Sequence, residues 1–149
     1  MSDLELLNDG LAGEHFGIAA YEAALGTGLL DDGTAAVARA FQSDHKQHRA
    51  LLTKEILTRG GTPVVALDAD HYAKEYPPLA TAADIVGYAI ELEAGATRAS
   101  VASVVHYEDR RLALLAAQIG GVEAQHWAAL LAATGAHPVP SPIIDLDAA

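Results

Sequence analysis

The sequence predicts an all-α chain, a four-helix bundle made of two antiparallel helix hairpins joined by a long crossover between helices two and three. Three observations predict it. Proline is absent from residues 1 to 62 and then punctuates the chain at Pro63, Pro77 and Pro78 and from Pro138 to Pro142, leaving long stretches without a helix breaker. Within those stretches apolar residues recur at i, i+3, i+4 and i+7, the period of one helix face. No segment sustains the alternation of a strand, and Val64-Val65-Ala66-Leu67 is too isolated to build a sheet.

The elements follow in order. The first helix is expected from Asp3 to about Leu30, stopped by Asp31-Asp32-Gly33. The second is expected from Thr34, its N-cap, to Arg59, with Gly60-Gly61 as the stop. The third runs from Thr81 or Ala82 to His106, and the fourth from Glu108 to Thr134 with Gly135 just beyond. A connection of a few residues makes the first two helices antiparallel neighbours, and the last two meet around Tyr107. The stretch from Gly61 to Ala80 is different. Extended, it reaches ~65 Å, whereas a helix of the expected size is ~39 Å long, so it can travel the length of the bundle. Residues 1–135 are thus read as the bundle and 136–149 as a proline-rich tail, AHPVPSPIIDLDAA, whose Ile143, Ile144 and Leu146 either dock or stay partly ordered.

Composition narrows the function classes. A chain of 149 residues, 51% apolar, can build a sizeable core and is not generally disordered. The absence of cysteine excludes disulfides, iron–sulfur clusters and thiolate metal sites. A formal charge of -11 argues against nucleic acid and anionic membranes as partners, which both need positive surface. No apolar run is long enough to span a bilayer, and the acidic start MSDLELLNDG lacks a basic leader region, so a cytoplasmic protein is expected. There is no phosphate-binding glycine loop, nucleophile motif or base-reading element.

The chemistry lies on the apolar seams. The seams read Leu7, Leu11, Glu14, Ile18, Tyr21 and Leu25 in helix one, then Val37, Phe41, His45, His48, Leu52 and Ile56 in helix two. Helix three gives Val86, Ile90, Glu93, Thr97, Val101 and Val104, and helix four gives Leu112, Leu115, Ile119, Glu123, His126 and Leu130. Every seam carries an ionisable residue and none carries Lys or Arg. Glu14, His45, His48, Glu93, Glu123 and His126 all fall near the midpoints of their helices, so convergence at the bundle centre is expected whichever way each helix points. Three buried carboxylates do not stay ionised uncompensated. Either they bind protons, or a cation sits among them. Carboxylate with imidazole suits iron, manganese or zinc, and Glu-x-x-His spacing puts both groups on one helix face. The competing reading of His45 and His48 is a pair of core histidines with their hydrogen bonds satisfied.

The pieces LNDGLAGEHFGIAAYEAAL, SDHKQHRALL, RGGTP, IELEAG and IGGVEAQHWAALL cover all four helices and the start of the crossover. Through them the chain resembles the ferritin-like superfamily, and within it the bacterial ferritin-like group related to desiccation-related proteins. The resemblance implies a di-iron pattern with one Glu on helix one, Glu-x-x-His on helix two, one Glu on helix three and Glu-x-x-His on helix four. Glu14, His48, Glu93, Glu123 and His126 match it. His45 does not, since it stands where the pattern has a bridging Glu. Asp44 is one residue off and expected to point aside. Three carboxylates against two divalent ions leave the site one negative charge short, which favours one metal or an altered pair.

The expected cofactor is accordingly iron or manganese, as one or two ions, and the expected reaction is ferrous oxidation or peroxide handling. The alternative is a metal-free oligomeric bundle serving stress protection or interaction. A homodimer is the default assembly. Tyr21 is expected to be a core tyrosine with its hydroxyl paired, Trp127 to cover an edge, and Glu91, His15, His71, His106 and His137 to lie on the surface. Gly13, Gly95, Gly120 and Gly121 are costly inside helices and are expected to mark close helix approach or room for ligands.

Overall fold

The structure is a computed structural model describing residues 1–146. The last three residues of the expected tail lie outside the described residues. Every regular element among the described residues is helical: α1 Asp3–Gly26, α2 Asp32–Thr58, a short α3 Ala69–Ala73, α4 Ala82–Ser103 continued by a 3₁₀ turn Val104–His106, and α5 Arg110–Ala133. The chain divides into two compact units, one of Leu7–Ile85 and one of Met1–Leu6 with everything from Val86 onward.

The helix ends follow local chemistry. α1 stops at Gly26, four residues before the expected Leu30. The Thr27 hydroxyl donates to the Ala24 carbonyl at 2.7 Å, and Gly28 takes φ +69, a conformation that ends the helix and suits glycine. α2 is capped by Asp31, whose carboxylate accepts from Thr34 N at 2.7 Å. Thr34 is therefore the third residue of the helix and not its cap. Asp31 wins because the cap must sit three residues ahead of the amide that it satisfies. At the other end Gly60 has φ +73, Gly61 N donates to Ile56 O and Gly60 N to Leu57 O. That is the paired closure of a Schellman motif. Gly135 repeats it after α5, with Ala136 N on Leu131 O and Gly135 N on Ala132 O.

In the Leu7–Ile85 unit α1 and α2 are antiparallel. Contacts pair Glu14 with His45, Ile18 with Gln42 and Tyr21 with Phe41, later residues of one helix meeting earlier residues of the other. Leu7, Leu11, Leu52 and Ile56 are buried, each worth roughly 1.5–3 kcal/mol of transfer free energy. Val37, expected on the seam, is 43% exposed. Ala35 and Ala38 take the inward positions instead.

The crossover is not structureless. Asn8 clasps its start, with the side-chain amide donating to Thr62 O at 3.3 Å and the carbonyl oxygen accepting from Val64 N at 2.7 Å. His15 Nε2 reaches Val64 O at 3.2 Å, so this histidine is half-buried and holds the connection. Asp68 caps α3 by accepting from His71 N. The one-turn helix buries Tyr72, whose hydroxyl accepts from Leu67 N, and the rings of Tyr72 and Tyr76 meet Phe16 edge-on at 5.7 and 5.6 Å. The sequence reading missed α3 because five residues are too few to display a period.

In the other unit α4 and α5 are antiparallel, with Glu93 against His126 and Gly120 against Ser100 and Val101. Asp3 accepts from both Glu108 N and Asp109 N, and Asp109 then caps α5 by accepting from Arg111 N. α4 tightens to 3₁₀ after Ser103, at the turn into α5. Arg98 lies over the Trp127 ring at 5.6 Å and donates to Asp145 O, which ties the tail to α4, while Ile143 and Leu146 stay exposed.

The glycines separate into two classes. An added Cβ meets nothing within 4 Å at Gly13, Gly95 and Gly121, but lies 3.1 Å from Ser100 Cβ at Gly120. Close approach therefore occurs at one of the four expected positions. Gly13→Ala, Gly95→Ala and Gly121→Ala should each stabilise the protein by up to about 1 kcal/mol. Gly120→Ala should destabilise it by about 1–3 kcal/mol. Denaturant midpoints with unchanged slope will show the opposite signs.

Candidate metal centre

The six singled-out residues are all buried, and they fall into two triads, one in each unit. In the first, Glu14 comes from α1 and His45 and His48 from one face of α2. His45 Nδ1 lies 2.8 Å from Glu14 Oε2, and His48 Nδ1 lies 3.3 Å from Glu14 Oε1. Both imidazoles thus present the same nitrogen to the two oxygens of one carboxylate. Burial pushes the Glu14 carboxyl up, but the hydrogen bonds and charge of His45 and His48 outweigh it and hold it below the ordinary carboxylate value. Around His45 the packing is tight. A Cβ on Gly17 would stand 3.2 Å from His45 Cε1, and the Tyr21 ring lies beside the imidazole, centroids 5.6 Å apart and tilted by 34°.

In the second triad Glu93 comes from α4 and Glu123 and His126 from α5. Glu93 and Glu123 are each 1% exposed. His126 Nδ1 lies 3.3 Å from Glu93 Oε2 and 3.2 Å from Glu123 Oε2. Burial pulls the His126 pKa down, but hydrogen bonds from the ring to Glu123 and then Glu93, with their charge, carry it up to about 9. Thr97, one turn from Glu93 and fully buried, donates its hydroxyl to Glu93 O at 2.8 Å, which satisfies the hydroxyl within its own helix.

Within each triad one donor atom per residue lies within 4.8 Å of the others. Two donors about 2.1 Å from one transition ion stand about 3.0 Å apart at a right angle and about 3.4 Å apart at a tetrahedral angle. The nitrogen–oxygen separations of 2.8 and 3.3 Å in the first triad and 3.2 and 3.3 Å in the second match that spacing. Mixed carboxylate and imidazole donors also suit iron, manganese or zinc. Each triad is thus a group of buried donors that could hold a metal ion.

Asp44 accepts from Gln47 on its own helix and turns aside, and Glu91 is exposed, as expected for both. The sequence reading missed Gln42. It is buried next to His45, with its amide donating to Glu22 and Ile18 O and its oxygen accepting from Lys46. The signal was present, since Gln42 precedes His45 by three residues and shares its face. Gly17 was also missed, because a glycine beside an imidazole carries no sequence signature.

The sequence profile of a ferritin-like domain matches residues 2–145. The chain belongs to the ferritin-like family. A solved structure of a conserved hypothetical protein from Mycobacterium tuberculosis is similar to this ferritin-like protein with a TM-score of 0.78 and 23% identity, covering 95% of this chain and 96% of that one. That likeness shows the fold, all-α and ferritin-like. No curated protein matches the chain. Among the described residues no helix is long and apolar enough to cross a membrane.

Proposed function

We propose that this ferritin-like protein binds iron or manganese, as one or two ions, through Glu14, His45, His48, Glu93, Glu123 and His126. The observation that carries the reading is the pair of buried carboxylate–imidazole triads with donor spacings suited to a metal. Family membership supports it. When bound, iron would supply the electron-transfer chemistry for ferrous oxidation or peroxide handling. The side chains supply three carboxylate charges and three imidazoles, and their burial keeps bulk water from competing for the donors. A homodimer is proposed as the assembly, with the exposed Val37, Leu51 and Leu57 of α2 as apolar surface available to it.

A second reading has its own observation. Every imidazole of the triads already faces a carboxylate, and His126 keeps its proton at neutrality, so a metal-free bundle has part of its buried carboxylate charge offset from within. In that reading the protein is an oligomeric stress-protection or interaction module. Elemental analysis separates the two. Protein produced with iron or manganese supplementation and purified without chelators should carry about one or two ions per chain. A content below about 0.2 per chain overturns the metal reading, since a folded site of buried carboxylate and imidazole donors retains its ion when no chelator competes for it. Light scattering on the same sample reports whether the mass is twice that of the chain.

A further inference from the structure

His45 is built into the protein rather than tolerated by it. Its ring lies on the backbone of α1 at Gly17, where any Cβ would stand 3.2–3.4 Å from three of its atoms. Tyr21 packs beside it, and its Nδ1 is held 2.8 Å from Glu14. A glycine on α1 that admits the ring, an aromatic neighbour and an aimed nitrogen together fix one orientation. That orientation presents the same carboxylate with two imidazole nitrogens, from His45 and His48, whose rings stand 88° apart. The α1–α2 triad is thus two imidazoles and one carboxylate, with one negative charge. The α4–α5 triad is two carboxylates and one imidazole, with two. Imidazole suits zinc, copper, iron and nickel, whereas carboxylate-rich sets suit manganese and magnesium.

We propose that Glu14, His45 and His48 form an imidazole-rich cation site with its own selectivity, taking zinc-type ions (Zn²⁺, Co²⁺) in preference to manganese, with Gly17 as the residue that positions His45. The proposal rests on the metal-binding reading and adds to it a difference between the two triads. Any protein site ranks zinc above manganese to some degree, so the decisive quantities are the order of filling and the change on substitution.

The test uses full-length, chelator-stripped protein with ¹⁵N-labelled histidine, titrated with Zn²⁺ and separately with Mn²⁺. At one equivalent of Zn²⁺ the ring nitrogens of His45 and His48 should shift together, and His126 should respond only beyond it. Gly17→Ala should weaken zinc binding at His45 and His48 by about tenfold or more and leave the His126 response unchanged, which a general loss of stability would not do. His45→Glu should lower the ratio of zinc to manganese affinity by about tenfold or more, with circular dichroism confirming helix content. If that variant does not fold, the wild-type order and Gly17→Ala still decide. Filling of His126 first, or a zinc-to-manganese ratio unmoved by His45→Glu, overturns the proposal while the metal-binding reading stands. No ring shift with either ion overturns both.

Discussion

Glu123→Ala should lower the bound metal by at least half in protein saturated with iron or manganese. Glu123 is 1% exposed and its Oε2 lies 3.2 Å from His126 Nδ1, so the substitution removes one of the three donors of the α4–α5 triad and opens space where the carboxylate stood. The thermal consequence is larger than the local one. A ligand at a hundredfold excess over its dissociation constant stabilises the folded state by about 2.7 kcal/mol. For a chain of this size that corresponds to roughly 5–10 °C of melting temperature. The wild type should show such a metal-dependent rise, and Glu123→Ala should lose a large part of it. Glu123→Gln, which keeps the volume, should behave in the same way and excludes the cavity as the cause. If the site works without metal, the outcome differs. The wild type shows no metal-dependent rise, and Glu123→Ala lowers the stability of the metal-free protein by about 3 kcal/mol or more, because it takes away one of the two carboxylates that face the protonated His126. Elemental analysis and calorimetry on the three proteins with and without metal decide the matter.

Metal affinity should climb with pH. His126 holds its proton up to about 9, and a metal on its Nδ1 must displace that proton. The apparent affinity of the α4–α5 triad should therefore rise about tenfold per pH unit below that value, and about a hundredfold between pH 6 and pH 8. His126→Gln should abolish the slope together with most of the affinity. The metal-free protein should run the other way. A folded-state pKa raised from 6.5 gives stability that is fully present below that value and is lost as pH rises through about 9. The loss is on the order of 3 kcal/mol. Glu14 has the opposite sign. Its carboxyl is held below its ordinary value of 4.5, so its contribution is present above that value and is lost as pH falls through the lowered one. Chelator-treated protein should thus be most stable between about pH 4.5 and 6.5. Thermal unfolding across pH 4 to 10, with and without metal, measures both slopes. A metal affinity that is flat from pH 6 to 8 would remove His126 from the ligand set.

The elements that the sequence displayed well are those whose signal repeats. Four long helices, each with its apolar seam, are visible because a seam of six residues states the period several times over. Glu14, Glu93, Glu123 and His126 were visible for the same reason, as ionisable residues at positions where the period demands apolar ones. The helix ends were less visible. Asp31 rather than Thr34 caps α2 because both are good capping residues and only the backbone decides which amide is reached. The short α3 was invisible from periodicity, and its role depends on Tyr72 and Tyr76 finding Phe16, more than fifty residues earlier in the chain.

By itself the sequence determined the helical class, the antiparallel pairing of neighbouring helices and the identity of the buried carboxylates and imidazoles. These are properties of local period, loop length and residue type. Only the tertiary structure decided how those residues are arranged within each unit. It put two imidazole nitrogens on the two oxygens of Glu14 and one imidazole between Glu93 and Glu123. It also showed that Gly17, and not the glycines nearer the Glu-x-x-His motif, makes room for the departing residue His45. The physical reason is range. A helix face follows from residues three and four apart, whereas the fit of a ring against a neighbouring backbone depends on contacts between residues 28 positions apart, whose geometry no local pattern encodes.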